Sequence, residues 1–176
     1  MPRPLKIDIH THPAAKKGIV SKSRVTVASP EEMRKMYNQL GISKGVILPS
    51  ANPKSNEEAY HMAQEHPDLF YWFCNIDPKN GGDAPDANLS YFLEHYKKLG
   101  AKGVGEITAN IYFDDSYAEN LFYHCQKCEM PVLFHIGPTF GGAHYGLVDD
   151  VGLPRLEKEL TKFPNLKFIG HSQPFF

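Results

Sequence analysis

Short apolar runs alternate with amphipathic segments along the chain, and this alternation restricts its fold more than any other feature. Each run is too short and too uniformly apolar for a surface strand, as expected of parallel strands covered on both faces. Such a series is typical of parallel βα architecture. We therefore predict six strands, at about Lys6–His10, Lys44–Leu48, Leu69–Ile76, Gly103–Ile107, Pro131–Ile136 and Leu166–Gly170.

Apolar residues at helical spacing occupy the five gaps between these runs, which predicts five helices. Three segments place a serine three residues before a glutamate, the spacing of a capping box. They predict helix starts near Ser29, Ser55 and Ser116. Gly41 and Gly100 follow the first and third helices, where a glycine commonly ends a helix.

Six βα units fit either an open doubly wound sheet or an unfinished (β/α)8 barrel. The first βα turn reads His10-Thr11-His12-Pro13 and holds no glycine-rich phosphate-binding pattern, so a dinucleotide or P-loop site loses its main support. The sequence contains no internal repeat or interdomain linker. We expect an α/β fold, a partial TIM barrel with about six of eight βα units, as a single domain over residues 1–176.

The composition is that of an ordinary globular protein, with 41% hydrophobic and 22% charged residues. A net charge of -1 gives no electrostatic case for nucleic acid or an anionic membrane. No apolar run approaches the roughly 18 residues of a membrane span, and no signal-peptide core opens the chain, so we expect a cytoplasmic protein. Its expected partner is a small-molecule substrate, with assembly into a homo-oligomer left open. Cys74, Cys125 and Cys128 are too few for a disulfide framework and are expected to be reduced.

His10 and His12 lie two residues apart at the end of the first predicted strand. The two-residue period of a strand turns both imidazoles to the same side, where they can chelate one ion. Taken alone this pair is weak evidence, because nine histidines in 176 residues make such a spacing common by chance.

Polar residues also end the last three predicted strands. They are Glu106 at the fourth strand, His135 at the fifth and His171 at the sixth. In a barrel these strand ends meet at the rim that houses active sites. A hydrogen-bonded polar residue explains each one singly, but a divalent ion explains all of them, since buried polar groups are costly unless paired. Imidazole and carboxylate ligands suit Zn²⁺, Mn²⁺ or Fe²⁺, and the histidine excess favours Zn²⁺. Such an ion lowers the pKa of bound water to about 7.

Four motifs in this order resemble the amidohydrolase superfamily. They are Asp-Ile-His-Thr-His at the first strand, Gly-Val-Gly-Glu-Ile at the fourth, Pro-Val-Leu-Phe-His-Ile-Gly at the fifth and Asn-Leu-Lys-Phe-Ile-Gly-His-Ser at the sixth. The similarity is greatest to the amidohydrolase-related branch, which contains hydrolases and nonoxidative decarboxylases, and it extends over essentially the whole chain.

The resemblance implies roles for each of these residues. It implies that His10 and His12 bind the first metal ion and that Glu106 is the strand-four ligand, able to bridge two ions. In a binuclear site, His135 and His171 are ligands from strands five and six. In a mononuclear site, His135 completes the metal shell and His171 acts on the substrate, so both histidines are candidate catalytic residues.

The family pattern ends with an aspartate after strand eight that serves as ligand and general base, and the sequence stops five residues beyond His171. A complete barrel has about 250 residues. We therefore expect a C-terminally truncated sequence, the N-terminal portion of a barrel lacking its last strands, with weak or no activity by itself.

Metal-dependent hydrolysis of a small carbon–nitrogen, lactone or related bond is the leading prediction from the sequence. Three alternatives remain: nonoxidative decarboxylation at the same site, a TatD-type nuclease, and an inactive metal-binding fragment. The nuclease also uses a His-x-His pair with a glutamate on strand four, but the near-neutral charge argues against it.

Three further features lie at the same predicted rim. Asn75 ends the third strand and is a candidate for orienting the substrate. The stretch Gly137–Gly152 is a candidate lid, with His144 as a candidate substrate contact. The loop after His12 carries basic residues that can attract an anionic substrate: Lys16, Lys17, Lys22 and Arg24. For each of them a structural or solvated role is the simpler explanation.

Overall fold

The computed structural model describes residues 5–16, 18–20, 25–82, 84–138 and 145–171. In chain order, its strands within these ranges are β1 (Lys6–Thr11), β2 (Gly18–Val20), β3 (Val25–Val27), β4 (Ile42–Ile47), β5 (Phe70–Trp72), β6 (Val104–Ile107), β7 (Ala109–Tyr112), β8 (Val132–Pro138), β9 (Gly146–Asp149) and β10 (Phe168–His171). The six predicted strands are confirmed as β1, β4, β5, β6, β8 and β10. Among the residues singled out above, Lys17, Lys22, Arg24 and His144 lie outside the described ranges.

The six predicted strands are arranged in chain order and run parallel. β1 pairs with β4 and β4 with β5, while β6 pairs with β8 and β8 with β10. A parallel bridge between Cys74 and Val104 joins the two groups, because Cys74 continues the line of β5. The fold is therefore α/β, with the sequential parallel strands of a partial (β/α)8 barrel, and the carboxyl ends of these strands share one rim.

All five predicted helices are present: α1 (Pro30–Leu40), α2 (Pro53–Glu65), α3 (Ser90–Lys98), α4 (Ser116–Lys127) and α5 (Pro154–Lys162). A short 3-10 helix over Pro78–Gly81 precedes α3. The Ser29 capping box is confirmed, since its side chain accepts from the Glu32 amide and the Glu32 carboxylate accepts from the Ser29 amide.

The other two predicted capping boxes are wrong. Asn52 caps α2 by accepting from the Ser55 amide, and Asp115 caps α4 by accepting from the Tyr117 amide. Each helix begins before the position expected from its Ser-x-x-Glu pattern, because another good capping residue precedes the serine. Asparagine and aspartate are among the strongest N-terminal caps.

Four short strands were not predicted from the sequence. β2 and β3 form an antiparallel hairpin in the segment after β1. β9 pairs in parallel with the end of β8 and with β7. The candidate lid Gly137–Gly152 therefore contains a strand, and its described part from Tyr145 onward continues into sheet rather than a free loop.

The hydrophobic core lies on both sides of the parallel strands. Successive side chains of β8 alternate between its two parts. Val132 and Phe134 belong to the large apolar cluster shared with the helices, whereas Leu133 packs with Val46 and Phe73 in a smaller cluster. Successive side chains of a strand point to opposite faces. His135 therefore follows Leu133 on the interior face of the barrel.

Apolar side chains are exposed along the first strand and at the residue before it. Leu5, Ile7 and Ile9 all retain a large share of their accessible surface.

Across the described ranges, the helices lack the combination of length and apolar character that a membrane crossing needs.

A buried carboxylate lies outside the barrel interior, on α5. Glu159 is 0% exposed, and both of its carboxylate oxygens lack a hydrogen-bond partner among the described residues. Burial, together with the nearby Glu119, raises its pKa to about 7. The charged form of Glu159 is therefore destabilised in the folded protein.

We expect Glu159→Gln to raise the free energy of unfolding by about 1–2 kcal/mol at pH 8 and to change it little at pH 5. The folded pKa of Glu159 exceeds its ordinary value, so stability falls as pH rises from about 4.5 to about 7 in the wild type. Urea denaturation of the wild type and of Glu159→Gln at both pH values measures these free energies of unfolding. Glu157→Gln, on the exposed surface of the same helix, should show no such difference; equal effects of the two substitutions would contradict the assignment.

Candidate metal centre

The five residues predicted to bind metal lie together at the carboxyl ends of the barrel strands. His10 is near the end of β1, Glu106 lies in β6, and His12 follows β1 directly. His135 and His171 are register partners across β8 and β10. The parallel register therefore places two of the imidazoles side by side.

The Glu106 carboxylate is the centre of this cluster, and it is 4% exposed. Its Oε2 lies 3.1 Å from Nε2 of His10 and 3.6 Å from Nε2 of His12. Its Oε1 lies 2.9 Å from Nδ1 of His135 and 3.9 Å from Nε2 of His171. Each carboxylate oxygen therefore faces its own pair of imidazoles.

The imidazole rings also contact one another. The rings of His10 and His171 stack with centroids 3.8 Å apart and an angle of 18° between their planes. His12 meets the ring of His10 edge-on at 4.7 Å. These contacts bring the first and last parallel strands together at the rim, although no backbone pairing between β1 and β10 is part of the described sheets.

Backbone and side-chain partners fix the two histidines of the His-x-His pair. Nδ1 of His12 lies 2.9 Å from the Leu48 carbonyl, so it donates its proton there and turns the Nε2 lone pair toward the cluster. The His10 amide donates to Asp8 at 3.1 Å, and the Tyr37 hydroxyl donates to the same carboxylate at 2.8 Å. Asp8 and Tyr37 were not predicted to support the site.

Charge explains the protonation preferences in the cluster. Burial opposes ionisation of Glu106, but the hydrogen bond from His10 and the nearby imidazoles of His12 and His135 outweigh it and lower the pKa of this carboxyl well below its usual range. The nearby Glu106 carboxylate raises the pKa of His12. Burial, aided by repulsion from His10, lowers the pKa of His171. The cluster therefore holds a carboxylate anion at neutral pH.

Two buried asparagines tie three strand ends to one another. Asn56, in the first turns of α2, accepts from the Asn75 amide and donates to the Asn75 carbonyl, both at 2.8 Å. The Asn75 side chain donates to the Pro49 carbonyl at 2.9 Å and to the Glu106 carbonyl at 2.8 Å. Because both acceptors are carbonyls, the NH₂ group of Asn75 must face them. Asn75 thus holds the main chain of Glu106 in place.

One more polar side chain reaches the cluster from β9. Tyr145 precedes this strand, and its hydroxyl lies 3.4 Å from Oε2 of Glu106. The sequence alone gave no signal for Tyr145, because it depends on the parallel pairing of β9 with β8.

The donor set fits a divalent metal ion. Two groups, one of His10, His12 and Glu106 and the other of Glu106, His135 and His171, each have ligand atoms within 4.8 Å of one another. Two ligands bound to one ion at about 2.0–2.2 Å are separated by about 4 Å or less. Small side-chain shifts would therefore bring either group to coordination distance. The two groups share only the Glu106 carboxylate.

Solved structures share the fold of this chain at low sequence identity, whereas sequence comparisons find no match. No protein-family model and no curated protein sequence matches this chain. Solved structures do match. 5-carboxyvanillate decarboxylase LigW from Sphingomonas paucimobilis gives a TM-score of 0.56 at 14% identity, over 79% of this chain and 50% of that chain.

Two further structures give similar values. 4-Oxalomesaconate hydratase LigJ from Rhodopseudomonas palustris has a TM-score of 0.54 at 16% identity, over 94% of this chain and 62% of that chain. 5-Carboxyvanillate decarboxylase LigW2 from Novosphingobium aromaticivorans, with bound manganese and 3-methoxy-4-hydroxy-5-nitrobenzoic acid, has a TM-score of 0.55 at 18% identity, over 82% of this chain and 50% of that chain. The chain thus spans 50–62% of the length of these enzymes and shares their barrel fold.

We expect Glu106→Gln to weaken binding of Zn²⁺ and of Mn²⁺ by about 100-fold or more, because the amide keeps the shape of the side chain and removes the only carboxylate of both groups. Isothermal titration calorimetry with each metal measures the Kd. Glu57→Gln, which removes an exposed carboxylate on α2, serves as the matched control and should bind as the wild type does. Unchanged metal affinity in Glu106→Gln would show that the cluster is a hydrogen-bonded polar network and does not bind metal.

We expect Asn75→Leu to lower the free energy of unfolding by about 2–4 kcal/mol, since the buried Pro49 and Glu106 carbonyls lose their donor. Metal affinity should fall as well, because the main chain of Glu106 is released. Asn120→Leu is the control: its half-buried side chain donates to one carbonyl, that of Ala87, and its loss should cost about 1 kcal/mol without changing metal affinity. Equal losses of unfolding free energy and of metal affinity in the two variants would argue that Asn75 does not hold the main chain of Glu106.

Proposed function

We propose that this chain belongs to a metal-dependent enzyme of the amidohydrolase superfamily that acts on a small carboxylated molecule. The observation that carries the proposal is the buried Glu106 carboxylate with a pair of imidazoles on each oxygen, at the carboxyl-end rim of a parallel barrel. A buried anion surrounded by metal-ligating imidazoles is the arrangement that a divalent cation completes.

The fold neighbours support the substrate class and the choice of metal. LigW and LigW2 are decarboxylases of 5-carboxyvanillate, LigJ is a hydratase of 4-oxalomesaconate, and LigW2 contains manganese. All of these names describe carboxylated molecules. We therefore infer lyase chemistry, decarboxylation or hydration, and we place Mn²⁺ beside the Zn²⁺ favoured by the histidine-rich ligand set.

Different residues of the chain would bind the metal ion and transfer protons at this site. His10, His12 and Glu106 would hold the ion, and His135 would complete its shell or hold a second ion. A bound divalent ion polarises a carboxylate or a carbonyl and makes hydroxide available near neutral pH. Burial favours the neutral form of the His171 imidazole, which is then able to accept or deliver a proton at the substrate.

A cavity of about 260 Å³ lies at the same rim and offers room for part of a substrate. Asn75, Ile107 and Thr108 line it, and the last two directly follow Glu106. Complete small-molecule sites usually have about 300–1,000 Å³, so this cavity suits one portion of a ligand. This location supports a role for Asn75 beside the substrate as well as behind Glu106.

Hydrolysis is the second candidate, and a specific feature of Glu106 favours it. Its two oxygens face separate imidazole pairs, which suits a carboxylate shared by two ions. Two-metal sites commonly activate water for attack on a carbonyl or phosphoryl group. A hydrolase would then act on an amide, a lactone or a related bond at the same position.

The test is a set of assays on the Mn²⁺-loaded and the Zn²⁺-loaded protein. We expect slow CO₂ release from 5-carboxyvanillate or slow hydration of 4-oxalomesaconate, in keeping with the weak activity expected from the sequence, with His171→Asn lowering kcat/KM by about 100-fold or more. His95→Asn, on the exposed face of α3, is the matched control and should keep wild-type activity.

Three outcomes decide between the candidates. Turnover only of amide or lactone substrates would replace the lyase proposal with hydrolysis. Phosphodiesterase activity on DNA would favour the nuclease. A protein that binds neither Zn²⁺ nor Mn²⁺ and shows no thermal shift with either would contradict every enzymatic candidate.

A further inference from the structure

Tyr145 lies against two members of the metal centre. Its ring meets the ring of His135 edge-on, with centroids 4.4 Å apart, and its hydroxyl lies 3.4 Å from Oε2 of Glu106. The side chain is nevertheless 46% exposed. A phenol is thus present at the open side of the cluster, beside groups that are themselves mostly buried.

The main chain of Tyr145 is held tightly against β8. A side chain at position 137 would place its Cβ 2.4 Å from the Tyr145 carbonyl oxygen, so only glycine fits there. Gly146 has φ +91°, and a Cβ there would lie 2.6 Å from the His135 carbonyl oxygen. Leu147 continues the pairing with Ile136. The two glycines let the β9 backbone approach closely enough to fix the position of the phenol.

The hydroxyl of Tyr145 is held much less tightly than its backbone. A good O–H···O bond has an oxygen separation of about 2.5–3.0 Å, and the 3.4 Å to Glu106 is outside this range. The same Oε2 is already 3.1 Å from Nε2 of His10. A weakly bonded donor that lies on a half-exposed side chain and a fixed backbone is arranged to bond a ligand that enters the site.

We propose that Tyr145 is a substrate-binding residue whose hydroxyl donates a hydrogen bond to a carboxylate or phenolate oxygen of an anionic ligand at the metal centre. This inference rests on the proposed function, because it assigns the chemical class of ligand that the same site takes. The ring of Tyr145 forms one wall of the site against His135, and the hydroxyl selects for an anionic oxygen at that wall.

The experiment compares binding of one coloured ligand to three proteins. Wild type, Tyr145→Phe and Tyr123→Phe are loaded with Mn²⁺ and titrated with 3-methoxy-4-hydroxy-5-nitrobenzoic acid, whose nitrophenol absorbance reports binding. We expect Tyr145→Phe to weaken the Kd for this acid about 10-fold, the effect of losing a hydrogen bond to a charged oxygen. Its Kd for Mn²⁺ should stay within about twofold of the wild type. Tyr123, exposed on α4, is the matched control.

The possible results separate this proposal from the one on which it rests. Equal affinity of wild type and Tyr145→Phe for the acid would overturn the role of Tyr145. A loss of Mn²⁺ affinity as large as the loss for the acid would also overturn it, by showing that the hydroxyl supports Glu106. Mn²⁺ binding by the wild type without any binding of the acid would refute the ligand class. Failure of the wild type to bind either Mn²⁺ or, in a parallel titration, Zn²⁺ would refute the proposed function itself.

Discussion

The burial of one carboxylate organises the carboxyl-end rim of this protein. Moving an anion out of water costs several kcal/mol unless polar groups replace its hydration. At Glu106 the replacement comes from imidazoles on β1, β8 and β10 and from the loop that follows β1. Each of these segments must reach the rim with the correct register, so the position of Glu106 depends on the arrangement of the whole parallel sheet.

Groups behind the cluster hold it in shape. The Leu48 carbonyl fixes the tautomer of His12, the Asp8 carboxylate anchors the His10 amide, and Asn75 holds the Glu106 carbonyl. Such outer contacts orient ligands and tune their basicity, and metal sites depend on them nearly as much as on the ligands. LigW and LigJ share this barrel fold, in which the carboxyl ends of the parallel strands meet at one rim.

Much of the fold was predictable from local patterns, and the errors have physical causes. The six parallel strands and five helices follow from apolar runs and helical spacing. The caps near Ser55 and Ser116 were wrong because Asn52 and Asp115, which cap as well as serine does, lie one to three residues earlier. The unpredicted strands, such as β7 and β9, have no long apolar run of their own. They exist because neighbouring strands offer backbone partners, as β8 does for β9.

By itself, the sequence determined which residue types end the strands and to which side of each strand they point, since the two-residue period is a local property. Only the tertiary structure decided which atoms meet. His10 and Glu106 are 96 residues apart in the chain, and their contact depends on the curvature of the sheet between them. The same packing assigned an imidazole pair to each Glu106 oxygen and brought Tyr145 to the open side, because the distances between strands are fixed by the core and not by any local pattern.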